Sequence, residues 1–185
     1  MNDFKLYMVL LGCKPEGRHI EQHDVFFGIA ASMKELLPAI VDFWPEAKGK
    51  LHVDGYRIVN KVGDYAITIA KNASVKQEQH LFFINLGGYK ENEFEEFHYK
   101  MLVTGREKNE ALKKAKSSAF YKHTGFDGAT SHIDDKYGVD VDDMALIEDI
   151  LPAEMKTDFS ICITPALPDM PEDTFELGYF KLTDF

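Results

Sequence analysis

The stretch Leu6-Tyr7-Met8-Val9-Leu10-Leu11-Gly12 returns later in the chain as Leu81-Phe82-Phe83-Ile84-Asn85-Leu86-Gly87. Aligned on these two runs without a gap, Glu16 falls on Glu91, Glu21 on Glu96, His23 on His98, Glu35 on Glu110 and Leu37 on Leu112. Conservative pairs lie between them, such as Met8 with Phe83, Val9 with Ile84 and Phe27 with Leu102. With an insertion around His123 to Ala129 in the second copy, His52-x-Asp54 falls on His132-x-Asp134. Matching residues in one shared order of apolar patterns mark an internal duplication.

Each copy reads as the same succession of elements. The short apolar runs Leu6–Leu11 and Leu81–Leu86 predict buried central strands, with Gly12 and Gly87-Gly88 ending them in a turn. A second strand follows at His23–Ala30 and at Phe97–Thr104. Ser32, with Glu35 three residues on, predicts a capped helix start. Met33, Leu36, Leu37, Ile40, Val41 and Trp44 continue it as one apolar stripe, in which Pro38 is a potential kink. The second helix is weaker, with Ala111, Leu112, Ala115 and Ala119 suggesting close packing and Lys113, Lys114 and Lys116 a solvated face. Leu51–Ile58 and Tyr65–Ala70 predict two closing strands in the first copy. Ser131–Val141 and Met144–Leu151 predict the same pair in the second. The fold class is therefore α+β, an internal duplication of a ββαβ-type unit with mostly antiparallel sheet and one helix per repeat. Expected boundaries are residues 1–75, 76–151 and a C-terminal piece, 152–185, whose strands Phe159–Thr164 and Phe175–Leu182 are expected to cover a sheet edge or one end of the pseudo-symmetric pair. The short polar link Lys71–Gln79 suggests that the repeats pack as one compact unit.

Composition limits the function classes. The chain has 185 residues, a hydrophobic fraction of 45% and 14 Phe, which suit a globular core. A net charge of −10 opposes nucleic-acid phosphate as the main partner. No apolar run approaches the ~18 residues of a membrane helix, and Leu6–Leu11 is too short for a signal-peptide core. Two cysteines, Cys13 and Cys162, fit a reducing compartment better than a disulfide framework. The expectation is a cytoplasmic protein with a protein partner or small ligand, and no nucleic acid or membrane; its oligomeric state stays open.

The runs that carry the repeat also carry a family resemblance. Leu6–Gly12, Glu21-Gln22-His23-Asp24 and His52-Val53-Asp54 resemble the bacterial family catalogued as domain of unknown function 1543. So do Phe82–Gly87, Tyr121-Lys122-His123-Thr124-Gly125 and Ser131-His132-Ile133-Asp134-Asp135. Such domains occur in one or two copies per chain, and the resemblance spans about residues 4–151 in two tandem copies. It implies no activity.

The polar positions that repeat are the candidates for chemistry. His52 and Asp54, two residues apart on a predicted strand, share a face. His132 and Asp134 repeat them, and His23 and His98 repeat on the preceding strand. Such a set offers ligands for a divalent metal, with His52, Asp54, His132 and Asp134 foremost, or a base with an orienting carboxylate. The plainer account is a side-chain bridge between a strand and its neighbouring turn. Gly12–His19 has only the outline of a phosphate loop, since Arg18-His19 replaces the Lys-Ser/Thr and Glu16 repels phosphate. Asp134 to Asp143 lacks the ligand order of a calcium loop. The glycine-bearing stretch Tyr121–His132 suits either a ligand loop or a structured surface loop. The first functional reading is a binding or interaction module using the groove between the repeats or a sheet edge, with no required cofactor. The alternative is a metal-dependent or acid–base enzyme built on the duplicated His and Asp residues.

Overall fold

The computed structural model describes residues 4–89, 92–117 and 141–185. The chain divides into two compact units, Met1–Lys76 with Ile150–Phe185, and Gln77–Asp149.

In the first unit, β1 (Lys5–Cys13), β2 (Gln22–Ala30) and β3 (His52–Ile58) form an antiparallel sheet with β1 between the other two. Tyr7, Val9, Leu11 and Cys13 alternate along β1 toward one face. There they meet Met33, Leu36 and Ile40 of α1 (Met33–Phe43) in one buried cluster. Pro38 lies on the exposed side of α1, and the helix runs unbroken past it. Lys48, in the left-handed region, ends the short 3-10 turn Pro45–Ala47 that leads to β3. Beyond β3, β4 (Lys61–Val62) and β5 (Tyr65–Lys71) belong to a second sheet, where β5 pairs along its whole length with β9 (Phe159–Pro165).

The C-terminal segment covers a sheet edge, since β10 (Glu176–Lys181) pairs antiparallel with β3. A carboxylate holds it there. Asp173, just before β10, accepts hydrogen bonds from the Asn60 backbone N–H (3.1 Å to each oxygen), the Asn60 side chain (3.2 Å) and the Lys61 N–H (3.3 Å). Its side chain is 3% exposed, so these donors replace its water.

The second unit repeats the core of this plan. β6 (His80–Tyr89) lies between β7 (Glu96–Gly105) and β8 (Val141–Leu146), with α2 (Lys108–Lys116) following β7. Both central strands carry a register shift at the same place, between Leu10 and Leu11 and between Asn85 and Leu86. Ala111 and Ala115 are buried, and a Cβ on Gly105 would stand 3.1 Å from the Ala111 backbone nitrogen, so the small residues do bring α2 close.

Several local expectations are corrected. Ile147–Ile150 is a short helix, α3, rather than the end of a strand, and α4 (Ala153–Asp158) was not anticipated. Gly12 and Gly87 lie within strands and do not end them. Ser32 makes no side-chain cap. Instead Glu35 accepts the Ala31 N–H (3.1 Å), and its repeat Glu110 accepts the Arg106 N–H (2.9 Å). The hydrogen bond from Lys114, together with that from Arg106, holds the Glu110 carboxyl below its ordinary value. Ala119 lies outside the described residues.

Two outcomes test this account. Asp173→Ala strands three donors and should cost about 1–3 kcal/mol in urea unfolding. Glu148, with Oε2 buried and unpaired, has its pKa raised by burial above the ordinary 4.5. The folded state therefore binds this proton more tightly than the unfolded chain. Stability from it is complete below pH 4.5 and is lost as pH rises through the raised folded value. Glu148→Gln should raise the melting temperature at neutral pH and lose that advantage near the acid end of the range.

Candidate functional site

The polar site of the first unit forms where three strands meet. Gly12 pairs with His23 of β2 on one side and with His52 of β3 on the other. These positions point to the face away from α1, because Leu11 and Val53 point toward it. A residue at Gly12 with any side chain would fill the space between the two imidazoles. An added Cβ would land on His52 Nε2 and lie 2.5 Å from Asp54 Oδ2.

Asp54 reaches the same space through an irregularity in β3. Leu11 pairs with Val53 and Leu10 with Gly55, so Asp54 is the extra residue of a β-bulge. Bulges re-aim side chains, and here the carboxylate spans both histidines. Asp54 Oδ1 lies 3.1 Å from His52 Nε2, and Oδ2 lies 3.1 Å from His23 Nε2. A second carboxylate joins from the segment before β2. Glu21 Oε1 is 3.2 Å from His52 Nε2 and Oε2 is 4.0 Å from His23 Nε2.

Burial is graded across the cluster. The His52 side chain is 8% exposed, Asp54 24%, His23 43% and Glu21 44%. His52 Nε2 and Asp54 Oδ2 are both shielded from solvent, yet neither has a hydrogen bond of acceptable geometry. Buried polar atoms close to one another but misaligned are the exception in folded chains and call for a ligand or a water. The Tyr179 ring of β10 stacks on His52 with centroids 4.3 Å apart and planes at 28°. Cys13, next to Gly12, belongs to the α1-facing core, and burial pushes its thiol up, away from the reactive thiolate.

Among the described residues no three His, Cys, Asp or Glu side chains stand ready as a preformed metal cage. The cluster is closed on itself, with His52 Nε2 in contact distance of both carboxylates.

Of the residues singled out from sequence, the structure brings together His23, His52 and Asp54. His98 occupies the position of His23 beside Gly87, with Asn85 Nδ2 3.2 Å from its Nδ1. His132 and Asp134 lie outside the described residues, as does the Tyr121–His132 stretch. The strand that pairs with β6 is β8, which places Val141 where β3 has Val53 and Met144 where it has Tyr56. In this register Asp142 takes the strand position of Asp54. Glu21 was missed as a site residue, although its repetition as Glu96 was visible.

Gly12→Ala should therefore break the cluster and leave the α1 side intact. A loss of about 1–3 kcal/mol is expected, with imidazole NMR signals of His23 and His52 displaced and the core methyl signals of Leu36 and Ile40 unchanged.

Residues 18–69 match the family model described as Domain of Unknown Function (DUF1543), and the matched segment contains all four side chains of the cluster. The chain is similar in fold to a crystal structure of protein Il1583 from Idiomarina loihiensis. The TM-score is 0.66 at 22% identity, covering 97% of this chain and 99% of that one. No curated protein matches the sequence. Among the described residues no helix is long and apolar enough to cross a membrane.

Proposed function

We propose that the domain of unknown function 1543 carried by this chain is a divalent-cation-binding module, with Glu21, His23, His52 and Asp54 as its ligands. The observation that carries this reading is the unsatisfied approach of His52 Nε2 to two carboxylates at 3.1 and 3.2 Å over the bare backbone of Gly12. Donor atoms sharing one first-row cation at bonds of about 2.0–2.2 Å stand roughly 3–3.5 Å from one another. Three of the four approaches in the cluster, at 3.1, 3.1 and 3.2 Å, fall in that range, and the fourth, between His23 and Glu21, is 4.0 Å.

The donor set selects the class of metal. Two imidazole nitrogens and two carboxylates favour zinc or another first-row divalent ion over magnesium or calcium, which prefer oxygen alone. Two carboxylates and two neutral imidazoles balance a 2+ charge. Tyr179 braces the most buried ligand from behind, and the exposed flank at His23 and Glu21 leaves room for a water or a ligand atom. In this reading the protein is bacterial and cytoplasmic, consistent with its free Cys13 and Cys162. Its second unit is a diverged copy of the same domain.

A second reading, an interaction module acting through a sheet edge, has one observation in its favour. β10 is the edge strand of its sheet, and Phe175, Leu177 and Tyr179 stand exposed on and just before it. Edge strands recruit extended segments by β-addition.

The discriminating measurement is thermal unfolding of chelator-stripped protein with zinc, paired with cobalt absorption in the visible range. A bound metal stabilises by about 2.7 kcal/mol at a hundredfold excess over Kd, which should appear as a rise of several degrees. His23→Gln and Glu21→Gln, on exposed side chains, should abolish both the rise and the cobalt spectrum while leaving the metal-free melting temperature in place. No shift and no spectrum would retire the metal reading and turn attention to the β10 edge.

A further inference from the structure

A second site lies in the first unit, on the side of the sheet that α1 covers. A cleft of about 500 Å³ opens between the C-terminal half of α1 and the segment Ile150–Met155. This volume falls within the roughly 300–1,000 Å³ of small-molecule sites. Its apolar wall includes Phe26, Phe43, Leu151 and Met155. Its polar members are Glu35, Asp42 and Glu154; no Lys, Arg or His lines it.

Three features of the cleft share one sign. Asp42 sits in the last turn of α1, which has no basic residue there. Helix C-termini carry a partial negative charge that cations normally complement, so Asp42 adds charge of the unfavourable kind. Glu154 faces the same opening, and neither it nor Asp42 has a cationic partner among the described residues. Glu35 spends one oxygen on the Ala31 N–H, which leaves the other free.

The apolar wall determines what kind of cation fits. A small inorganic ion needs several oxygens around it and would find hydrocarbon on one side. Here Phe26 and Phe43 meet edge to face, with centroids 5.5 Å apart and planes at 70°. Met155 is held in place by the Ile29 N–H, which donates to its sulfur at 3.2 Å. Aromatic faces and a polarisable sulfur suit an organic cation with an apolar body. We infer that this cleft binds a protonated organic amine, its apolar body against Phe26, Phe43 and Met155 and its ammonium group at the rim formed by Asp42 and Glu154. This site shares no residue with the histidine cluster and stands whether or not that cluster binds metal.

The test titrates metal-free, full-length protein with phenethylammonium and, separately, with its neutral analogue 2-phenylethanol. Binding is followed by saturation-transfer NMR and by the Met155 methyl signal. Millimolar binding of the amine that moves the Met155 methyl, with much weaker binding of the alcohol, is the expected result. Asp42→Asn and Glu154→Gln alter exposed side chains and should not lower the melting temperature; Asp42→Asn, which relieves the charge at the C-terminus of α1, should raise it slightly. Each should weaken amine binding roughly two- to five-fold, as removal of a partly solvated ion pair does. Equal binding of amine and alcohol, indifference to both substitutions, an unmoved Met155 signal, or no binding of the amine would each overturn the inference.

Discussion

Gly12 sits between His23 and His52 on the middle strand of a three-strand ladder, and the polar end of the first unit depends on that placement. A slip of one residue in either pairing would turn a histidine toward α1 and set a hydrophobic side chain on the polar face. The same register puts Val9, Leu11 and Val53 into the core under α1, so apolar burial maintains the alignment that the polar cluster requires. Burying a side chain such as Leu11 is worth roughly 1.5–3 kcal/mol. A partly solvated His–carboxylate contact contributes about a kilocalorie or less. The core therefore positions the cluster, and the cluster contributes little to holding the core.

The C-terminal segment matters to the site because it completes the sheet that carries it. Asp173 ties the approach to β10 to the Asn60–Lys61 turn, and the pairing of β10 with β3 then brings Tyr179 over His52. Gly55 makes room on β3 for Leu177, whose side chain would lie 2.8 Å from a Cβ there. Glycine thus serves twice on this face by leaving space. Neither position has the positive φ that would call for glycine on conformational grounds.

The two units share some features of the plan and differ in others. The back-bonded helix starts at Glu35 and Glu110 and the register shifts on β1 and β6 recur, since they shape the backbone itself. The polar end has changed its chemistry. Asn85 replaces the apolar Leu10 and approaches His98, and Asp143 stands opposite Asn85 where Gly55 stands opposite Leu10. Helix packing has changed too, with alanines against Gly105 doing in the second unit what Leu36 and Ile40 do in the first.

Much of this was legible in the chain itself. The recurrence of Leu6–Gly12 at Leu81–Gly87 and the helical spacing of Met33, Leu36 and Ile40 pointed to a recurring ββα plan, and the apolar runs after Phe159 and Phe175 to two further strands, because local periodicity reports which face of an element is buried. His52 and Asp54 could be placed on one face for the same reason. The sequence could not show that Asp54 sits in a bulge, that Glu21 closes the cluster, or that Tyr179 stacks on it. Each of these depends on register between segments far apart in the chain. The sequence by itself determined the elements and their repetition, since those follow from local apolar pattern. Only the tertiary structure decided which polar side chains meet, because that is set by cross-strand pairing and by the space a missing Cβ leaves.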